Sequence, residues 1–287
     1  MIKALFEKIK ITAELVKFEH TIFALPFAFM GALMGASGPI PFDRIFYILM
    51  AMIGARTAAM AFNRVADRYI DAKNPRTQNR ALPKKLLSLP AVWSLILLSL
   101  CIFFYAAYNL NTACLKLAPI ALFLMFFYSW SKRFTAFSHF ILGLVLAIAP
   151  MGGYLAVRPV MDWAPLTLSA AVLLWSAGFD IIYACQDIEF DKTEKLHSLP
   201  VICGMQNALH ISRTLHVFTV AGFLLTGHLI SADFFYYTSV LICSALLIYE
   251  HSLLRGGNLE NINMAFFNVN GYVAIIIFFG TLLNYYF

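Results

Sequence analysis

The stretch Asn63 to Arg80, NRVADRYIDAKNPRTQNR, is polar, yet some twenty apolar residues precede it and another apolar run follows it. A polar segment in that setting lies where a membrane helix leaves the bilayer. Asn63, Asp67 and Asp71 recur at i, i+4 and i+8, which puts all three on one face of a helix. A second such stretch, DIIYACQDIEFD from Asp180 to Asp191, follows another apolar run. Its Asp180, Tyr183, Asp187 and Asp191 fall at i, i+3, i+7 and i+11, again one helical stripe. Two acidic faces at the mouth of a helical bundle suggest a site for a divalent metal and phosphate.

The composition around these stretches sets the class. Of the 287 residues 61% are hydrophobic and 13% charged, whereas about a quarter of a soluble domain's residues carry charge. Apolar spans of about twenty residues, each enough to cross a hydrocarbon core of about 30 Å, recur along the chain. Nine are predicted: 19–37, 43–63, 90–109, 112–131, 138–157, 164–184, 208–230, 233–252 and 264–286. The expected fold is therefore all-α, a polytopic membrane bundle forming a single domain over 1–287. Pro26, Pro119 and Pro150 fall inside or near the ends of these spans, where neighbouring helices satisfy the freed carbonyls. Each acidic stretch ends an even-numbered span with four spans between them, so spans two to five and six to nine read as two related halves. The five cysteines are scattered without CxxC spacing and read as ordinary reduced thiols. The charged, amphipathic start MIKALFEKIKITAELVK reads as an interfacial helix rather than a signal peptide.

Orientation follows from the basic residues. All 21 Lys and Arg except Arg44, Arg56, Lys116 and Arg158 fall at the N-terminus or in the loops after even-numbered spans. That bias predicts an inner-membrane protein with its N-terminus and both acidic stretches in the cytoplasm. It also argues that the net charge of +6 serves membrane orientation and an anionic ligand rather than nucleic acid.

A lone acidic loop most often just solvates a membrane surface. Here the acids recur at helical spacing, on one predicted side, after corresponding spans. Asp180 also ends the apolar run AAVLLWSAGF, where a carboxylate is costly unless paired or metal-bound. Carboxylates without histidine or cysteine suit Mg²⁺, which takes oxygen ligands and is commonly shared with substrate phosphate. Arg64, Arg68, Arg76, Arg80, Lys132 and Arg133 nearby would repel such an ion unless something strongly anionic lay between them, and a diphosphate fits. Arg56, two helical turns before Asn63, is either an ion-pair partner inside the bundle, with Asp180 a candidate, or a bidentate clamp for a substrate carboxylate. The seven histidines are scattered and read as structural, His20 near the predicted mouth being the one worth testing.

These residues carry a resemblance to the UbiA-type intramembrane aromatic prenyltransferases. The family's first motif, NDxxDxxxD, is similar to Asn63–Asp71 and is followed by a tail, NPRTxxRxLP, at Asn74–Pro83. DxxYAxxDxxxD matches Asp180, Tyr183, Ala184, Asp187 and Asp191, and YSxxKRxT appears at Tyr128, Ser129, Lys132, Arg133 and Thr135. The resemblance implies a nine-helix bundle open laterally to lipid, with a cytoplasmic cap over two Mg²⁺ ions and a prenyl tunnel. Carried over by position, Asp67, Asp71, Asp187 and Asp191 hold the metal, while Lys17, Arg80, Lys132 and Arg133 contact diphosphate. Asn63 and Arg56 line the acceptor pocket, Arg56 meeting the acceptor's carboxylate. One departure is Arg64, which stands where the family has a second acid and leaves two aspartates in this half.

The implied reaction is Mg²⁺-dependent transfer of a polyprenyl group from its diphosphate to an aromatic carboxylic acid in quinone synthesis. Tyr128 and Tyr183 are candidates to steady the allylic cation. The acceptor is expected to be 4-hydroxybenzoate (ubiquinone) or a dihydroxynaphthoate (menaquinone), to which the variant FNRxxDRxID with FDIIYACQD points. A secondary transporter is the rival of a different class, but it calls for acids at mid-membrane on broken helices.

Overall fold

The computed structural model describes residues 11–12, 14–15, 23–36, 38–257 and 259–287. Among them there are helices and turns but no strand. The long helices are α1 (Leu25–Ala36), α2 (Phe42–Lys73), α3 (Leu89–Leu110), α4 (Thr112–Ser131), α5 (Ser138–Val157) and α6 (Trp163–Ala184). After two short helices, α7 (Ile188–Thr193) and α8 (Leu199–Cys203), come α9 (Met205–Leu229), α10 (Phe234–Leu253) and α11 (Asn270–Tyr286). Among the described residues eight helical spans are long and apolar enough to cross a membrane, and α1 lies within the first expected span. The polytopic all-helical expectation therefore holds.

Helix boundaries follow local chemistry. Asn111 caps α4 by accepting from the Cys114 N–H at 3.0 Å, and its amide donates to the Leu155 carbonyl at 2.7 Å. Asp162 and Asp233 cap α6 and α10 in the same way. Pro119 and Pro150 lie inside α4 and α5.

The helices pack through small residues and aromatic rings. A Cβ on Gly153 of α5 would lie 1.8 Å from the Ala28 carbonyl oxygen of α1, and one on Gly31 would lie 1.9 Å from that of Pro150. The two backbones thus touch, as membrane helices do where glycine permits it. Helix α6 is the most buried of the spans. Its fully buried Trp175 packs against Phe27 and Phe179, at ring separations of 5.1 and 4.9 Å. Leu97, Leu98, Ile120, Phe123, Leu241 and Ile248 face outward, the apolar exterior that lipid requires.

Two departures from the sequence reading shape the acidic end of the bundle. Helix α2 runs 32 residues, about 48 Å at 1.5 Å per residue, so its motif-bearing turns project past any hydrocarbon core. The second motif is not one continuous helix. Helix α6 stops at Ala184, a 3₁₀ turn covers Cys185–Asp187, and α7 takes up Asp191. The tighter turn re-aims Asp187 without taking the stripe off its common face. Chain topology then brings the two motif ends together: Lys73 pairs with Glu194 at 2.7 Å, and the His197 N–H donates to the Lys132 carbonyl at 2.7 Å.

Candidate functional site

Pro75 ends α2 by forcing Asn74 out of the helical region, to φ −80° and ψ 120°. The Asn74 side chain then accepts from the Arg76 N–H at 2.9 Å and donates to Asp187 at 3.3 Å. Thr77 donates to the Asp71 carbonyl at 3.0 Å. This turn folds back over the end of its own helix and aims Arg76 and Arg80 inward.

Each arginine meets an acid. Arg76 grips Asp187 with two parallel bonds of 3.0 and 2.5 Å, and its third nitrogen donates to the Tyr183 hydroxyl at 3.0 Å. Arg80 donates to Asp71 at 2.7 Å, and Arg133 to Asp67 at 3.1 Å. Asn63 donates to the other oxygen of Asp67 at 3.1 Å. Burial works against the charge on Arg76, but the hydrogen bonds and charge of Asp187 outweigh it and hold its proton more tightly than usual.

These groups surround one cavity of about 1000 Å³ that penetrates between the helices. Asp67, Asp71, Asp187, Asp191, Arg56, Asn63, Arg80, Tyr128, Lys132, Arg133, Asp180 and Tyr183 all line it. Lys17, and His20 with it, lie outside the described residues. Its wall is closed in part by a six-residue π-helical segment, Met264–Val269, whose Phe266 stacks on Tyr183 at 4.1 Å. π-Helical turns often mark functional sites, and nothing in the residue pattern announces this one.

One pairing differs from the sequence reading. Asp180, considered as an ion-pair partner of Arg56, instead faces His139, whose Nδ1 lies 2.7 Å from its carboxylate. His139 is fully buried on the first turn of α5 and had been read as structural. Arg64, the departure from the family pattern, is also buried: it donates to the Leu15 carbonyl at 3.3 Å and stands 4.0 Å from Asp71. It therefore adds positive charge where an acid would have added negative.

The site has the features of a cation cradle. One oxygen each of Asp71 and Asp191 is buried, with no hydrogen-bond donor reaching it among the described residues. Carboxylate oxygens in that state suit a hard divalent ion. The surrounding arginines match an oxyanion that carries several charges.

A model of the UbiA prenyltransferase family matches residues 24–272. The 4-hydroxybenzoate octaprenyltransferase of Citrobacter koseri is 29% identical over 230 residues, 80% of this chain and 79% of that protein. The enzyme of the same name from Aeromonas hydrophila subsp. hydrophila is 30% identical over 247 residues, 83% of each chain. Among solved structures, the apo form of a UbiA homolog from Aeropyrum pernix K1 has a TM-score of 0.85 at 34% identity, covering 92% of this chain and 98% of that one. A UbiA homolog from Archaeoglobus fulgidus bound to GPP and Mg²⁺ shares the fold, with a TM-score of 0.74 at 17% identity, covering 96% and 100%.

Proposed function

Since the chain belongs to the UbiA prenyltransferase family, we propose that it joins a polyprenyl group, taken from polyprenyl diphosphate, to an aromatic carboxylic acid of the 4-hydroxybenzoate type. The observation that carries this reading is the pair of acid-bearing helix ends, distant in sequence, that share one arginine-lined cavity. Names of relatives from Citrobacter koseri and Aeromonas hydrophila support the choice of acceptor. Family membership sets the transporter reading aside.

Asp67, Asp71, Asp187 and Asp191 would hold Mg²⁺, as the unpartnered oxygens of Asp71 and Asp191 support. When bound, the ion neutralises diphosphate and so eases cleavage of the allylic C–O bond. Arg76, Arg80 and Arg133, which grip the acids, turn to the phosphate oxygens when the acids hold the metal, and Lys132 joins them there. Lys17 is proposed as a further diphosphate contact. The wall of Tyr183, Tyr128 and Phe266 excludes water from the allylic cation and offers it aromatic faces. Arg56, lying about 10 Å along α2 from Asn63, receives the acceptor carboxylate, and Asn63 helps to orient the ring. The ring carbon beside the phenol hydroxyl then bonds to the prenyl carbon and gives up its proton.

The chain is read as a single-domain enzyme of the inner membrane, and the Lys/Arg bias supports a cavity mouth and N-terminus in the cytoplasm. Purified protein given Mg²⁺, a polyprenyl diphosphate and 4-hydroxybenzoate should form the prenylated acid, read by mass. A dihydroxynaphthoate in parallel tests the menaquinone acceptor, which the motif variant Phe62–Asp71 favours. Failure with every aromatic acid would overturn the reading.

A further inference from the structure

A second group of ionisable side chains lies among α6, α9, α10 and the start of α11, and none of them lines the cavity. His216 of α9 is pressed against the backbone of α6. A Cβ on Gly178 would lie 2.4 Å from its Nε2, so only glycine admits the ring there. That Nε2 is 3.3 Å from the Trp175 carbonyl oxygen, which can only accept, so it carries the proton and leaves Nδ1 with a lone pair.

His216 Nδ1 faces two further groups: His251 Nε2 at 3.0 Å and Glu250 Oε2 at 3.4 Å. The Glu250 carboxylate is fully buried and cannot turn away. Its Oε1 accepts from Asn270 at 2.6 Å, and Asn270 is itself fixed by the Trp175 indole N–H at 2.7 Å. Among the described residues no hydrogen-bond partner reaches Glu250 Oε2 or His251 Nδ1. A buried carboxyl oxygen and an imidazole lone pair thus face one another, an arrangement that costs free energy unless a proton or a metal cation joins them.

We propose that His216, Glu250 and His251 form a binding site for a divalent transition metal ion such as Zn²⁺. The three ligand atoms lie within 4.8 Å of one another. Metal–ligand bonds of about 2.0–2.2 Å in tetrahedral array put ligand atoms about 3.3 Å apart, close to the 3.0 and 3.4 Å found. Imidazole and carboxylate together suit zinc and its neighbours rather than Mg²⁺. The orienting partners are also in place: a backbone carbonyl holds His216 and an amide holds Glu250. The charge of Arg213 acts on His251 and opposes a cation there, and the Glu250 carboxylate is the group that offsets it. Such an ion ties α9 to α10. Through Asn270 and Trp175 it also braces α6, the helix that carries Asp180 and Tyr183.

The test is uptake of Co²⁺ and Zn²⁺ by full-length protein stripped with a chelator. Wild type is expected to bind about one Co²⁺ per chain with the strong visible absorption of a four-coordinate, nitrogen-ligated ion. Zn²⁺ should displace it, Mg²⁺ should not, and Zn²⁺ should raise the unfolding temperature. Glu250→Gln retains an acceptor for Asn270 and sets an N–H opposite His216 Nδ1, so it should fold, lose Co²⁺ affinity by on the order of 100-fold and unfold alike with or without chelator. Asp67→Asn/Asp187→Asn should keep the signal. Overturning results are no uptake by wild type, only the weak absorption of an oxygen-ligated ion, or a signal kept in Glu250→Gln and lost in Asp67→Asn/Asp187→Asn.

Discussion

His139 Nδ1 lies 2.7 Å from an oxygen of Asp180, joining the first turn of α5 to the end of α6 beside the cavity. The histidine is fully buried, so removing it takes the hydrogen-bond partner from a buried carboxylate. His139→Leu is expected to destabilise the protein by about 1–3 kcal/mol. Because the two groups act as a pair, His139→Leu/Asp180→Leu should cost clearly less than the sum of the single changes. Thermal unfolding in detergent of the four proteins measures the coupling, and strict additivity would mean that the contact contributes nothing.

Asp67 and Asp187 sit at opposite motif ends of the same cavity. If both hold the metal, Asp67→Asn and Asp187→Asn should each lower turnover by about 10²–10³, with unfolding temperature little changed. Chelator should abolish the wild-type reaction and added Mg²⁺ restore it. Normal turnover in either variant removes that acid from the metal site.

Arg76 gives a prediction with two opposite signs. Its guanidinium grips both oxygens of Asp187, so it competes with a metal ion for that carboxylate. Arg76→Ala should therefore bind Mg²⁺ more tightly when no diphosphate is present. The same change removes a phosphate-binding fork and should weaken prenyl diphosphate binding by about 10-fold or more. Calorimetric titration with each ligand separates the two. A loss of both affinities would make Arg76 a structural brace only.

The touching backbones of α1 and α5 predict a steep steric response. At Gly153 an added methyl group meets the Ala28 carbonyl, which cannot rotate aside. Gly153→Ala should cost at least about 1–3 kcal/mol, whereas alanine at Gly152, where a Cβ meets nothing within 4 Å, should be silent. The pair is compared by thermal unfolding.

Periodicity and hydropathy made the membrane spans legible because each is a local property of about twenty residues. The acids of the cavity were legible for a related reason: Asn63, Asp67 and Asp71 declare one helix face by spacing alone. What spacing does not carry is pairing. Asp180 looked as near to Arg56 as to anything else, and only the packing of α5 on α6 delivers His139 instead. The 3₁₀ turn at Cys185–Asp187 and the π-helical turn before α11 have no residue signature, since both arise from tertiary fit. Glu250 carries a different signal: a carboxylate inside a predicted span is notable in itself, yet no helical spacing links it to the repeated acidic motifs.

If Arg56 holds the acceptor carboxylate, a substrate change tests it more cleanly than a mutation alone. A bidentate clamp on the acceptor carboxylate contributes about 1.5–3 kcal/mol, so Arg56→Ala should raise the acceptor KM by roughly 10- to 150-fold. Prenyl diphosphate affinity should be nearly unchanged. Arg56→Lys should recover only part of the loss, since an ammonium cannot present the planar fork. The methyl ester of the acceptor lacks the charge the clamp recognises. Wild type should therefore discriminate strongly between acid and ester, and Arg56→Ala hardly at all. If the variant still prefers the acid by the wild-type factor, the carboxylate is bound elsewhere. Arg56 would then belong to the diphosphate end, and its variant should lose affinity for the prenyl donor instead.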